Sequence, residues 1–149
     1  MDISQNNPTL LEITSENDST FFTQLLEANK LPASDLHPGV KKFLLLSGSE
    51  VIGTGGLEIF SNIGLVRSVS VADAYKGKGY GREISRMLES AAKQLNVQEL
   101  FLLTDTAKDF FAKLDYQVIE RNAVPQSIRE TQQFSSICPS SAIIMMKKI

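Results

Sequence analysis

At 149 residues, 42% hydrophobic and 21% charged with a formal net charge of -2, the chain has the balance of one folded domain and excludes a disordered or fibrous protein. One cysteine, Cys138, excludes an internal disulfide, and one histidine, His37, leaves too few ligands for a Cys/His metal site. A sequence pI near 5.4 argues against a general nucleic-acid binder. The polar start MDISQNNPTL and the lack of any run of ~18 apolar residues predict neither signal peptide nor membrane span, hence a cytoplasmic location.

In chain order, LLEIT (Leu10 to Thr14) reads as a short strand, and SENDSTFFTQLLEAN supplies capping residues ahead of Phe21, Phe22, Leu25 and Leu26 at helical spacing. Two prolines break LPASDLHPG, Leu31 to Gly39, into loop. KKFLLLS, EVIGTGGLEIF and IGLVRSVSV, separated by SGSE and by the turn pair Ser61-Asn62, predict an antiparallel meander. Ile84, Met87, Leu88, Ala91, Ala92 and Leu95 then fall at offsets 0, 3, 4, 7, 8 and 11, an amphipathic helix. ELFLLT (Glu99 to Thr104) suits a strand buried on both faces, so strand, helix and strand make a right-handed crossover with parallel pairing. A helix over about Thr106 to Leu114 turns Phe110, Phe111 and Leu114 toward the sheet, and YQVIE is another strand. A short helix around Ser127 to Thr131, a loop containing CPSS and the strand AIIMMKK complete the chain. The expectation is one α/β (α+β) domain over 1–149, with a mixed, mostly antiparallel central sheet, one β-α-β parallel crossover and flanking helices.

Between the last meander strand and the amphipathic helix lies VADAYKGKGYGREIS, with Gly77, Gly79 and Gly81 surrounded by Lys76, Lys78, Arg82 and Arg86 in an otherwise acidic chain. Glycines let backbone amides approach a ligand closely, and the first amides of a helix lack internal partners while its dipole favours negative charge. The loop is a candidate anion site that a pyrophosphate fits; the same residues would also serve as a tight turn flanked by a solvated basic face. No Gly-Lys-Ser or Gly-Lys-Thr ending is present for a Walker A loop, and GTGGLE runs on into strand where a dinucleotide fingerprint needs a helix.

SVSVADAYKGKGYGREIS resembles motif A of the GNAT (GCN5-related) N-acetyltransferases, with Lys76 in the Arg/Gln place and Gly79 and Gly81 at the two small positions. The order of elements is also the GNAT order: meander, loop and helix, buried strand, helix ending in FFAKLDYQV. The tail from FFAKLDYQVIERN to SSAIIMMKK is similar to small GNATs linked to bacterial arsenic resistance and, more distantly, to glutamate N-acetyltransferase domains. The resemblance implies acetyl-CoA as cosubstrate and no metal. By position it implies that the amides of Gly77, Lys78, Gly79, Tyr80, Gly81 and Arg82 cradle the pyrophosphate, with Lys76, Lys78 and Arg82 adding charge. Backbone groups of Val69, Ser70 and Val71 would pair with the pantetheine arm, an amide near Val69 would receive the oxyanion, and Thr104, Thr106 and Phe111 would border the thioester. Phe111 stands where many members have a tyrosine acid, and Asp73, Lys76 and Asp115 are further departures from the pattern.

Amine acetylation needs a neutral amine, so a carboxylate acting through water is sought; Glu58 is the candidate, with an exposed strand-face charge as the alternative. Arg67 either grips an acceptor carboxylate with its two-pronged guanidinium or pairs with Glu58 across the strands, and Ser68, Ser70, Ser140 and Ser141 offer polar contacts. Cys138 reads as a small packing residue, and His37 as a surface loop residue whose loop is placed to cover the acceptor. The implied function is acetyl transfer to the amine of a small molecule, an amino acid or a glutamate-like toxin. The alternatives are acetylation of protein amines, or a CoA-binding module with little catalysis. A homodimer in which the apolar final strand pairs across a subunit boundary is a further expectation of the resemblance.

Overall fold

The computed structural model describes residues 8–31, 33, 34, 36–131, 134 and 142–149. Its strands are β1 (Thr9–Glu12), β2 (Lys41–Ser47), β3 (Glu50–Phe60), β4 (Ile63–Val71), β5 (Glu99–Thr104), β6 (Gln117–Ile119) and β7 (Ile143–Lys148). They form one sheet in the order β1-β2-β3-β4-β5-β7-β6, antiparallel throughout except for parallel β4 and β5. The helices are α1 (Glu16–Ala28), α2 (Tyr80–Gln94), α3 (Lys108–Ala112) and α4 (Gln126–Arg129). The expected mixed, mostly antiparallel sheet is borne out.

Helix α1 starts where Ser15 accepts a hydrogen bond from the Asp18 amide at 3.2 Å, and Glu16 and Asp18 in its first turn suit the positive end of the dipole. Helix α2 turns Ile84, Leu88 and Ala92 inward onto Phe43, Leu45, Leu57 and Val66. The strand beneath must be low for the helix to settle: a Cβ on Gly55 would stand 2.9 Å from Leu88 Cδ1. Across the sheet, Phe22 and Leu26 of α1 cover Ile13 and Leu44, while Val124 and α4's Ile128 cover Leu65, Phe101 and Ile144.

Two irregularities shape the middle of the sheet. Parallel pairing joins Ile63 to Glu99, Gly64 to Leu100 and Leu65 to Phe101, and goes no further along β4, whereas β5 stays paired with β7 as far as Thr104 and Ile143. The two parallel strands therefore part beyond Leu65. On its other side β4 pairs Ser70 with Thr54 and Arg67 with Gly56, so Gly55 faces two residues, Ser68 and Val69. This is a β-bulge, and Ser68 sits in it at φ +60°, a left-handed conformation costing a non-glycine residue roughly 1–2 kcal/mol.

Three expectations need correction. Helix α3 is shorter than the sequence suggests, because the Ala107 amide bonds Thr104 Oγ1 at 2.9 Å and Asp115, at φ +74°, turns the chain after Lys113 and Leu114. Phe110 is 37% exposed, so only Phe111 of that pair packs into the core. The final strand is an inner strand, paired with β5 along its length and with β6 over 144–146, not the free sheet edge that the expected pairing across a subunit boundary starts from. Cys138, Ser140 and Ser141 lie outside the described residues. Among the described residues no helix is long and apolar enough to cross a membrane.

Leu88 is fully buried at the centre of the α2 contact. Leu88→Ala is expected to lower stability by about 2–5 kcal/mol in urea unfolding, with the far-UV spectrum of the folded protein preserved.

Candidate active site

Opposite α2, the sheet face that carries Leu65 holds a run of buried polar side chains: Thr54 and Glu58 on β3, and Arg67, Ser68 and Ser70 on β4. Polar groups enclosed this way have to bond each other. The Thr54 hydroxyl donates to the Ser68 carbonyl at 2.6 Å, so it accepts from Ser70 Oγ at 2.5 Å, since it has one proton to give. Those bonds tie the bulge to β3. Arg67 Nε donates to Ser68 Oγ at 3.1 Å, and Arg67 Nη1 stands 3.4 Å from Glu58 Oε2.

Glu58 is 5% exposed, so the reading of it as a strand-face charge in solvent is replaced by that of a buried carboxylate. Alternation explains the burial: Leu57 faces α2, Glu58 faces away from it, and Arg67 lies diagonally across on β4. Its second oxygen, Oε1, is 3.1 Å from His37 Nε2, an imidazole carried by the loop between α1 and β2. Glu58 borders a cleft of about 510 Å³ enclosed by Ser34, Leu36 and His37 from that loop and by Ser127 and Glu130 from the α4 segment. Sequence reasoning missed the contact of His37 with Glu58 and the part played by Ser127 and Glu130.

At the other end of β4 the glycine loop carries its expected geometry. Gly77 and Gly79 have φ of +79° and +86°, and a Cβ on either would meet nothing within 4 Å, so their faces are open. Gly79 caps α2, and the amides of residues 77–82 donate to no acceptor among the described residues. Open space, unpaired amides and a helix start together fit a pyrophosphate. Gly81 answers to a different demand, as a Cβ there would lie 3.3 Å from Phe110 Cζ where α3 crosses. Of the basic residues, Lys76 pairs with Asp73 at 2.9 Å, Lys78 lies 5.9 Å over the Tyr75 ring, and Arg82 opens into a hollow of about 170 Å³ shared with Arg86 and Lys113.

Val69, Ser70 and Val71 flank the gap where β4 leaves β5, and Thr104 ends the opposite strand with its hydroxyl engaged by Ala107. Thr106 is exposed beyond it. Phe111 is 8% exposed and packs edge-on against Phe110 and Tyr116, with centroids 5.0 and 5.6 Å away, so the ring beside the glycine loop is Phe110. Burial, and secondarily the charge of Glu89, pushes the Tyr116 phenol above its ordinary value, keeping it neutral.

A family model described as an acetyltransferase (GNAT) domain matches residues 40–118, from the start of β2 to β6 and more than half of the chain. This chain belongs to the GNAT acetyltransferase family. An amino-acid acetyltransferase of Mycobacterium tuberculosis strain H37Rv is 31% identical over 121 residues, covering 78% of this chain and 64% of the relative. The chain thus spans less than two-thirds of that relative's length. Among solved structures, the N-acetylglutamate synthase of Neisseria gonorrhoeae, complexed with coenzyme A and N-acetyl-glutamate, superposes with a TM-score of 0.79 at 16% identity over 95% of this chain and 35% of its own. A Mycobacterium tuberculosis protein complexed with CoA gives 0.78 at 22% identity over 95% and 99%. At these identities the superpositions establish the shared GNAT fold.

Gly79→Ala is expected to cost about 1–2 kcal/mol through its φ alone and to weaken CoA at least tenfold. Thermal unfolding and titration calorimetry on the same sample separate the two effects.

Proposed function

We propose that this GNAT protein transfers the acetyl group of acetyl-CoA to the primary amine of a small acceptor, an amino acid or an amino-acid-like toxin such as a glutamate analogue. The observation that carries this reading is the Glu58 and Arg67 pair, two opposite charges enclosed on one sheet face beside the bulge and the cleft. An amino acid near neutral pH carries an ammonium and a carboxylate a few bonds apart, the complement of that pair. At 3.4 Å the pair is wider than the ~2.7–2.9 Å of a tight charge-assisted hydrogen bond. The amino-acid acetyltransferase relative supports the same acceptor class. The predicted cytoplasmic setting suits a dissolved acceptor.

Acetyl-CoA supplies the activated acyl thioester. Glu58 takes the ammonium proton, directly or through one water, and so frees the nitrogen lone pair. Arg67 holds the acceptor carboxylate and turns the amine toward the gap between β4 and β5. The Val69 amide, in the bulge that Thr54 and Ser70 brace, receives the negative charge that develops on the acetyl oxygen. Phe111 has no proton to give, and a thiol of pKa about 8.5 leaves as thiolate near neutral pH without one.

Release of CoA thiol is to be measured with a panel of amino acids, glutamate analogues, polyamines and short peptides. One amino-acid scaffold is expected to respond. Arg67→Ala should raise the acceptor KM tenfold or more, and Glu58→Gln should lower kcat roughly a hundredfold with KM for acetyl-CoA unchanged. A response from peptides alone would transfer the acceptor to protein amines, and an unchanged acceptor KM in Arg67→Ala would remove the carboxylate clamp.

A further inference from the structure

The only histidine of the chain stands on the proposed base. His37 is on a surface loop and its side chain is 53% exposed, yet both ring nitrogens are in use. Nε2 lies 3.1 Å from Glu58 Oε1, and Nδ1 accepts the Gly39 amide at 3.0 Å. A backbone N–H can only donate, so Nδ1 bears the lone pair and the proton of the neutral ring sits on Nε2, aimed at the carboxylate. With its lone pair occupied, the imidazole is not placed to act as a base.

The turn that presents the ring is built from its own four residues. Val40 N donates to His37 O at 3.0 Å, closing His37-Pro38-Gly39-Val40 as a β-turn, and Pro38 occupies the second position that proline favours. Gly39 is demanded by the ring itself: a Cβ there would stand 2.7 Å from His37 Cε1 and 3.0 Å from Nδ1. Any side chain at this position drives the imidazole away from its amide and off Glu58.

We propose that His37 is a positioning residue for Glu58, its imidazole held in one tautomer by the Gly39 amide so that it fixes one carboxylate oxygen while Arg67 meets the other. The carboxylate then has a single orientation toward the cleft, set by one strand neighbour and one loop. Because Arg67 is the group an acceptor carboxylate engages, His37 is the contact that keeps Glu58 in place once Arg67 turns to the acceptor. This inference rests on Glu58 being the base of the proposed reaction, but the ring's tautomer is a property of the free protein and is testable without turnover.

Long-range 1H–15N spectra of the chain show a single imidazole and report its tautomer. The Nε2–H form is expected in the wild type, with tautomer selection lost in Gly39→Ala. A ring protonated on Nδ1, or one indifferent to Gly39→Ala, would overturn the proposal whatever the enzyme acetylates. In turnover, His37→Ala and Gly39→Ala should each lower kcat roughly tenfold, the loss of one hydrogen bond to a charged group, with KM for acetyl-CoA unchanged. His37→Gln, whose amide reaches the same depth as Nε2, should recover most of the loss. In a Glu58→Gln background His37→Ala should cost nothing more. An equal further loss there would mean that His37 acts apart from Glu58 and would also overturn the proposal. Wild-type kcat in Glu58→Gln alone would remove Glu58 as the base and with it any part for His37 in turnover, while the spectra still decide the tautomer.

Discussion

The parallel pairing of β4 with β5 lasts for three residue pairs, and the proposed chemistry depends on where it stops. Each strand has a stronger claim on it elsewhere. β5 is matched to β7 along its whole length, and β4 is drawn to β3, which it joins through an eleven-residue partner and a bulge. The gap that opens leaves β4 without a parallel partner beyond Leu65 and has the glycine loop at its end, which is the shape the proposed function needs for an extended thioester arm and its phosphates. Helix α2 makes this rigid, because the same helix whose first turn carries the unpaired amides is anchored by Ile84 and Leu88 in the main core.

Burying Glu58 and Arg67 is costly by itself, since each charge gives up water. The enclosure is tolerable because both Glu58 oxygens and the Arg67 Nε and Nη1 have neighbours of the right kind, from Ser68 on the bulge to His37 on the loop. A geometric consequence follows: the α1-to-β2 loop, the bulge and the two central strands meet at one carboxylate. A change in any of the three alters the surroundings of that carboxylate.

Much of this was legible in the residues. The bounds of β2, β3, β4 and β5 follow from apolar stretches cut by turn residues, and α2 from six apolar positions at helical offsets. The glycine loop announced itself by composition. What stayed hidden has physical reasons. Ser68 adds one residue to a strand without disturbing its composition, and nothing about a serine advertises a left-handed φ. His37 and Glu58 are 21 residues apart, and their meeting depends on how a proline-broken loop folds back, which no periodicity records. Which of two adjacent phenylalanines enters the core depends on where α3 begins, and that was decided by a threonine hydroxyl at the end of β5. The place of the last strand depends on a choice of partners that its own sequence, four apolar residues and two lysines, does not contain.

That last strand has a further effect on how the molecule behaves among its neighbours. With β7 paired to β5 along its length and to β6 over 144–146, the sheet ends in β1 and β6, four and three residues long. Long apolar edges are what foreign strands add to when proteins clump. Here the apolar Ile143–Met146 run lies on an inner strand, and the two margins of the sheet are short. The fold that parts β4 from β5 in its middle keeps its two rims short, so crowding the protein in solution offers little backbone for misassembly.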